Sequence, residues 1–282
     1  MAPRLAVLAG GGPLPREVVG AARAAGREVF VLAFEGETEP AAVEGVPHQW
    51  VPLGAVGRAL GALHAAGSEE VVMIGPVRRP SFATLGLDWR GMQLLGKVGL
   101  RAGLGDDRLF QLIVGELEAE GFRVIGADEV VAALLAPDGL MTRAAPDEAA
   151  RRDIVQGVEV VARLGELDVG QAVVVQHGLV LGVEAAEGTD QLLARCAGLR
   201  RDGPGGVLVK LKKPKQERRA DLPTIGPATV QAAADAGLEG IAVHAGNCLI
   251  IDQAGVVDLA DRRGLFVVGV GVGVGVGVGG RG

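Results

Sequence analysis

The feature that most constrains this chain is the grouping of its apolar residues. They come in short runs of Val, Ile, Leu and Ala closed by glycine or proline, as at Leu5–Ala9 before Gly10-Gly11-Gly12-Pro13 and at Glu70–Gly75 before Pro76. Runs of about 4–8 residues without polar alternation suit strands buried on both faces, and such strands belong to parallel sheets with helices on either side. The sequence therefore predicts an α/β fold. Its 282 residues exceed the about 100–200 of an ordinary domain, and the pattern changes after the turn Pro137-Asp138-Gly139. This predicts one domain over 1–135, a second over 140–270 and a tail over 271–282. Gly and Val alternate from Gly269 to Gly279, which gives strand period with no side chains on one face, so the tail is expected to be poorly anchored.

Several function classes are disfavoured at once. No apolar run reaches about 18 residues without charge or dense glycine, so no membrane-spanning helix is expected. The first residues lack a basic region before an apolar core, which predicts no signal peptide and a cytoplasmic protein. Cys196 and Cys248 are the two cysteines, too few for a disulfide scaffold and without metal-ligand spacing. A net charge of −6, few aromatic residues and no tyrosine disfavour nucleic acid as a partner.

The first strand, glycine turn and helix start present Gly10, Gly11 and Gly12 as amides for an anion. Pro15 stands where a third dinucleotide-fingerprint glycine would fall, so an ordinary tight turn stays open beside ligand contact. Arg78 and Arg79 follow the fourth strand. Ligands of open α/β sheets sit beyond such strand ends, which makes Arg79 a phosphate-binding candidate. Further on, His177-Gly178 reads as the turn of a hairpin formed by Ala172–Gln176 and Leu179–Glu184. After it, two explanations stay open for Thr189 and Asp190. Either they cap a helix, or Glu184, Glu187 and Asp190 converge with Asp221 on a divalent cation.

The most charged stretch is Lys210–Gly226, in which six of the first ten residues are basic. Val207, Val209 and Leu211 alternate with Lys210 and Lys212, predicting a half-buried strand with its lysines outward. Asp221 then lies in a loop before the Pro227-led helix, a position favoured by catalytic residues. Cations to hold polyphosphate beside a carboxylate to orient water or a metal ion suit phosphoryl chemistry.

With these motifs laid out, the chain resembles the LpxI family of UDP-2,3-diacylglucosamine pyrophosphatases of lipid A biosynthesis, over nearly its whole length to about Val270. The resemblance rests on Leu8–Pro15, Val77–Pro80, Gly105–Asp107, Asp168-Val-Gly-Gln171, Val183–Asp190, Lys210–Gln216 and Asp221–Gly226. It implies a Rossmann-like N-terminal open sheet, a C-terminal mixed α/β domain and a ligand cleft between them. It also implies a Mg2+-dependent hydrolase yielding UMP and 2,3-diacylglucosamine 1-phosphate. Asp221 takes the place of the essential aspartate, and Gly10–Gly12, Arg79, Thr189, Lys210, Lys213, Gln216 and Thr224 are the substrate-binding candidates. Asp221, Glu187 and Asp190 are the metal candidates. A UDP-linked diacylated glucosamine as partner implies peripheral contact with the inner face of the membrane, and a homo-oligomer stays open. The chain departs from the family pattern at Pro76, where a polar residue is expected, and in its tail. Three rival readings are a phosphate-sensing module without catalysis, a hydrolase of another nucleotide-linked compound, and a nicotinamide-dependent oxidoreductase, the last disfavoured by the missing glycine.

Overall fold

A computed structural model of the chain describes residues 3–77, 86–99, 106–214 and 222–271, with the backbone alone at 97–99 and 106–108. The described residues divide into two compact units, the first up to Ala132 and the second from Ala133 on.

The first unit carries β1 (Leu5–Ala9), α1 (Leu14–Ala24), β2 (Val29–Phe34), β3 (His48–Val51), α2 (Val56–Ala65), β4 (Glu70–Ile74), α3 (Trp89–Gly99), α4 (Asp106–Ala119), β5 (Arg123–Ile125) and α5 (Ala127–Val130). Its five strands are all parallel, in the order β3-β2-β1-β4-β5. The unbroken burial of β1 and β4 follows from helices on both faces: Leu60, Leu63, Val114 and Leu117 share a core with one face, while Val18, Val19 and Ala22 of α1 are buried too. Glu70 sits almost fully buried at the start of β4. Burial opposes its charge, but Arg123 and Arg27 bind both carboxylate oxygens and hold its pKa below the usual carboxylate value.

The second unit continues with β6 (Gly139–Leu140), α6 (Glu148–Glu166), β7 (Ala172–Gln176), β8 (Leu179–Val183), α7 (Gly188–Cys196), β9 (Val207–Lys210), β10 (Thr224–Ile225), α8 (Pro227–Asp235), β11 (Gly240–His244), β12 (Leu249–Ile250), α9 (Gln253–Arg263) and β13 (Phe266–Val270). Six strands form one mixed sheet in the order β6-β13-β11-β9-β7-β8, and β10 pairs with β12 in a separate parallel pair. β13, β11 and β9 run parallel, while β7 is antiparallel to β9. Side chains of α6 pack on one face with Val173, Val207 and Val209. The opposite face is covered from α7, α8 and α9, by Leu192, Leu193, Val230, Ala233, Val256 and Ala260.

That coverage corrects one expectation. The alternation along β9 is present, since Val207, Val209 and Leu211 join one core and Leu208 the other. The strand is central and buried on both faces, however, so Lys210 is 7% exposed rather than pointing outward. Alternation reports which residues share a face; it does not report what covers that face.

Candidate active site

At the carboxyl end of β1 the chain turns through Gly10, Gly11 and Gly12 beside the turn after β4. The approach is close enough to require glycine: a Cβ on Gly10 would lie 2.5 Å from the Gly75 carbonyl oxygen. Gly10 N donates to Ile74 O at 2.7 Å and Gly11 N to Pro76 O at 2.8 Å. Two of the three candidate anion-binding amides are thus engaged by carbonyls of the neighbouring turn, which narrows the reading to Gly12 and the start of α1. Pro76 contributes through its main chain, for which a polar side chain is not needed. Arg79 lies outside the described residues.

In the second unit, motifs far apart in sequence meet at the end of the sheet where β9 and β8 finish and β7 begins. Gln171 O accepts from Leu211 N at 2.9 Å, and Gln171 N donates to Glu184 Oε2 at 3.0 Å. The other carboxylate oxygen of the buried Glu184 accepts from the Thr189 hydroxyl at 2.6 Å. Gly170 has no room for a side chain, because a Cβ there would sit 2.0 Å from Glu184 O. Asp168, held at φ 56°, binds Lys213 with Oδ1 and Nζ 2.5 Å apart. Lys210 Nζ donates to Thr224 O at 2.9 Å, and the Thr224 hydroxyl donates to Leu222 O at 3.1 Å. Asp168-Val-Gly-Gln171, Val183–Asp190, the first part of Lys210–Gln216 and the Leu222–Gly226 part of the last motif therefore form one connected arrangement.

This geometry assigns several candidates a defined partner. Thr189 is tied to Glu184, Lys213 to Asp168, and Lys210 to Thr224. Of the two explanations for the Glu184–Asp190 stretch, the hydrogen bonds show a local network. Glu187 accepts from Arg195, at 2.7 Å from one guanidinium nitrogen, and from Ala185 N at 3.1 Å. The Arg195 hydrogen bond, foremost, holds its pKa below the ordinary value. A carboxylate already paired with a guanidinium is a poor cation ligand, and Asp190 lies exposed in the first turn of α7. Among the described residues no three His, Cys, Asp or Glu side chains converge as a metal site. Of the metal candidates Asp221, Glu187 and Asp190, the structure describes Glu187, paired with Arg195, and the exposed Asp190; Asp221, like Gln216, lies outside the described residues. Cys248 offers no nucleophile, because burial pushes its thiol up to about 12.

Sequence reasoning missed Asp153, which is buried on α6 and accepts from His177 N and Gly178 N at 2.7 Å each. His177 and Gly178 both have positive φ, 51° and 76°, the geometry of a two-residue hairpin turn. A signal existed: Asp153 falls on the apolar stripe of α6 with Ala150, Ile154, Gly157 and Val161, where a lone acid is out of place.

Comparison with known proteins gives this arrangement a family. The LpxI N-terminal domain matches residues 4–134 and the LpxI C-terminal domain residues 137–268. The chain belongs to the LpxI family. It is 41% identical over 273 residues to the UDP-2,3-diacylglucosamine pyrophosphatase LpxI of Caulobacter vibrioides, covering 95% of this chain and 97% of that protein. A solved structure of glycinamide-RNase-transformylase T from Mycobacterium tuberculosis aligns at TM-score 0.26 and 13% identity, over 65% of this chain and 44% of that one, too weak a likeness to inform the LpxI fold. Among the described residues no helix is long and apolar enough to cross a membrane.

Proposed function

We propose that this chain hydrolyses the pyrophosphate of UDP-2,3-diacylglucosamine to UMP and 2,3-diacylglucosamine 1-phosphate. The observation that carries this is the full-length match to the Caulobacter pyrophosphatase, 41% identity over 95% of the chain. The network joining the family motifs in the second unit supports it.

In the proposed step a water oxygen bonds the sugar-side phosphorus, the P–O bond to the bridging oxygen breaks, and UMP leaves with that oxygen. Asp221 orients the water. Lys213, held by Asp168, stabilises the charge on the phosphate oxygens; positioning and electrostatics are most of what phosphoryl transfer asks of a protein. Thr189 and Thr224 act through the segments they fix. We also propose a Mg2+ requirement. Such an ion would neutralise charge on the pyrophosphate, and Mg2+ is commonly held by one or two carboxylates together with substrate phosphates. A diacylated substrate also brings the protein to the surface of a membrane.

The test is incubation with UDP-2,3-diacylglucosamine in 18O-water, with and without EDTA, while both products are followed. Expected are UMP release that stops with EDTA and returns with Mg2+, and label in the sugar 1-phosphate. No release contradicts the activity, and label in UMP contradicts the site of attack. Unacylated UDP-sugars and other nucleotide sugars, hydrolysed equally well, would instead favour another nucleotide-linked substrate.

A further inference from the structure

We infer that Lys210 is a positioning residue: its ammonium ties the short β10–β12 pair to the six-stranded sheet through Thr224 O and does not itself touch the phosphates. The inference concerns geometry first; its kinetic consequence rests on the pyrophosphatase reading above.

Lys210 is the last residue of β9 and is flanked in register by Ala172 of β7 and Val243 of β11. Its main chain is therefore fixed from both sides. The side chain is on the face packed by α7, α8 and α9, because its neighbour two residues back, Leu208, joins that core. With only 7% exposure, the ammonium has one acceptor given by the structure among the described residues, Thr224 O at 2.9 Å.

The other side of that bond is a short pair: β10 and β12 are two residues each, Ile225 and Ile250 are packed in the core, and Leu249 of β12 also bridges Leu135. Leu249 N donates to Pro223 O and Ile251 N to Ile225 O, so the Thr224 carbonyl between them is directed elsewhere, to Lys210. A buried charge is expensive to keep, and packing alone would be served by Leu or Met. The lysine makes sense as a donor that reaches from the rigid centre of the sheet to one main-chain oxygen. In sequence that oxygen lies three residues after Asp221, so the register of the segment following the proposed catalytic residue depends on it.

The experiment compares the full-length protein with Lys210→Met and Lys210→Arg by amide hydrogen exchange and by steady-state hydrolysis of UDP-2,3-diacylglucosamine with UMP as inhibitor. For Lys210→Met the expected result is exchange at the 224–226 amides faster by about 10-fold or more, with β9 and β11 unchanged. The kcat should fall by about 10-fold or more while KM and UMP inhibition stay within about twofold, and Lys210→Arg should restore most of both. Unchanged exchange at 224–226 overturns the inference. So does a rise of KM and of the UMP inhibition constant by about 10-fold with kcat intact, the signature of a direct phosphate ligand. If the wild type does not hydrolyse this substrate, the pyrophosphatase reading fails, and the exchange result decides the role of Lys210 by itself. Should Lys210→Met not fold, Lys210→Gln takes the same measurements.

Discussion

The two ends of the six-stranded sheet are both rich in charge, yet their charges are held in opposite ways. At one end, by the β7–β8 turn and the start of β11, stand acids: Asp147 caps α6 through Ala150 N, Asp153 holds the hairpin turn, and Glu239 immediately precedes β11. Burial, and then repulsion from Asp147 and Asp153, push the Glu239 pKa up to about 7. At the other end stand Lys210, the Asp168–Lys213 pair and the Glu184–Thr189 link. Asp147 and Asp153 serve main-chain amides, a role complete within the fold. The second end joins segments from four separate parts of the sequence around two cations, and it is where the proposed phosphate contact lies. Charge density alone does not distinguish the ends; the kind of partner does, since Asp147 and Asp153 accept from main-chain amides whereas the second end is built around two lysines.

This contrast breaks if substitutions at the acidic end affect catalysis or those at the basic end mainly affect folding. The largest effect is expected from Asp153→Ala, which leaves the His177 and Gly178 amides without their acceptor. It should cost about 3 kcal/mol of stability, read by denaturant unfolding, while kcat of the folded fraction stays within about twofold. Lys213→Ala should do the reverse. Loss of one charge-assisted contact, about 1.5–3 kcal/mol, should lower kcat/KM by about 10- to 100-fold and shift unfolding little.

The smallest effect sharpens the acidic end. Glu239 has a folded pKa of about 7 against an ordinary 4.5, so the folded state binds its proton more tightly. The resulting destabilisation is absent below about pH 4.5, grows as pH rises toward 7 and is complete above it. Glu239→Gln should therefore stabilise the protein at pH 8 by about 1 kcal/mol, after discounting for solvent screening, and change little at pH 4. Equal gains at both pH values would remove the electrostatic cause.

Much of the fold was legible. The apolar runs at Leu5–Ala9 and Glu70–Gly75 are β1 and β4, Pro227 opens α8, and the hairpin turn falls on His177-Gly178. These depend on apolar runs, proline at a helix start and glycine at positive φ, all local matters. What local pattern could not supply was coverage and partnership. Lys210 alternates like a surface lysine and is buried because helices cover both faces of β9. Glu187 resembles a cation ligand until Arg195, eight residues on, occupies it. Gly10 and Gly11 look like free amide donors until the turn after β4 is brought against them. Each depends on a contact that no periodicity encodes.

The central claim is that this chain performs pyrophosphate hydrolysis with Asp221 at the chemical step. The most direct measurement is the rate of UMP release from UDP-2,3-diacylglucosamine by the wild type and by Asp221→Ala, with near-ultraviolet circular dichroism showing both folded. The account predicts steady turnover by the wild type and a rate about 1,000-fold lower or less for the variant, a loss of about 4 kcal/mol of transition-state stabilisation. A folded Asp221→Ala protein that releases UMP near the wild-type rate would contradict it.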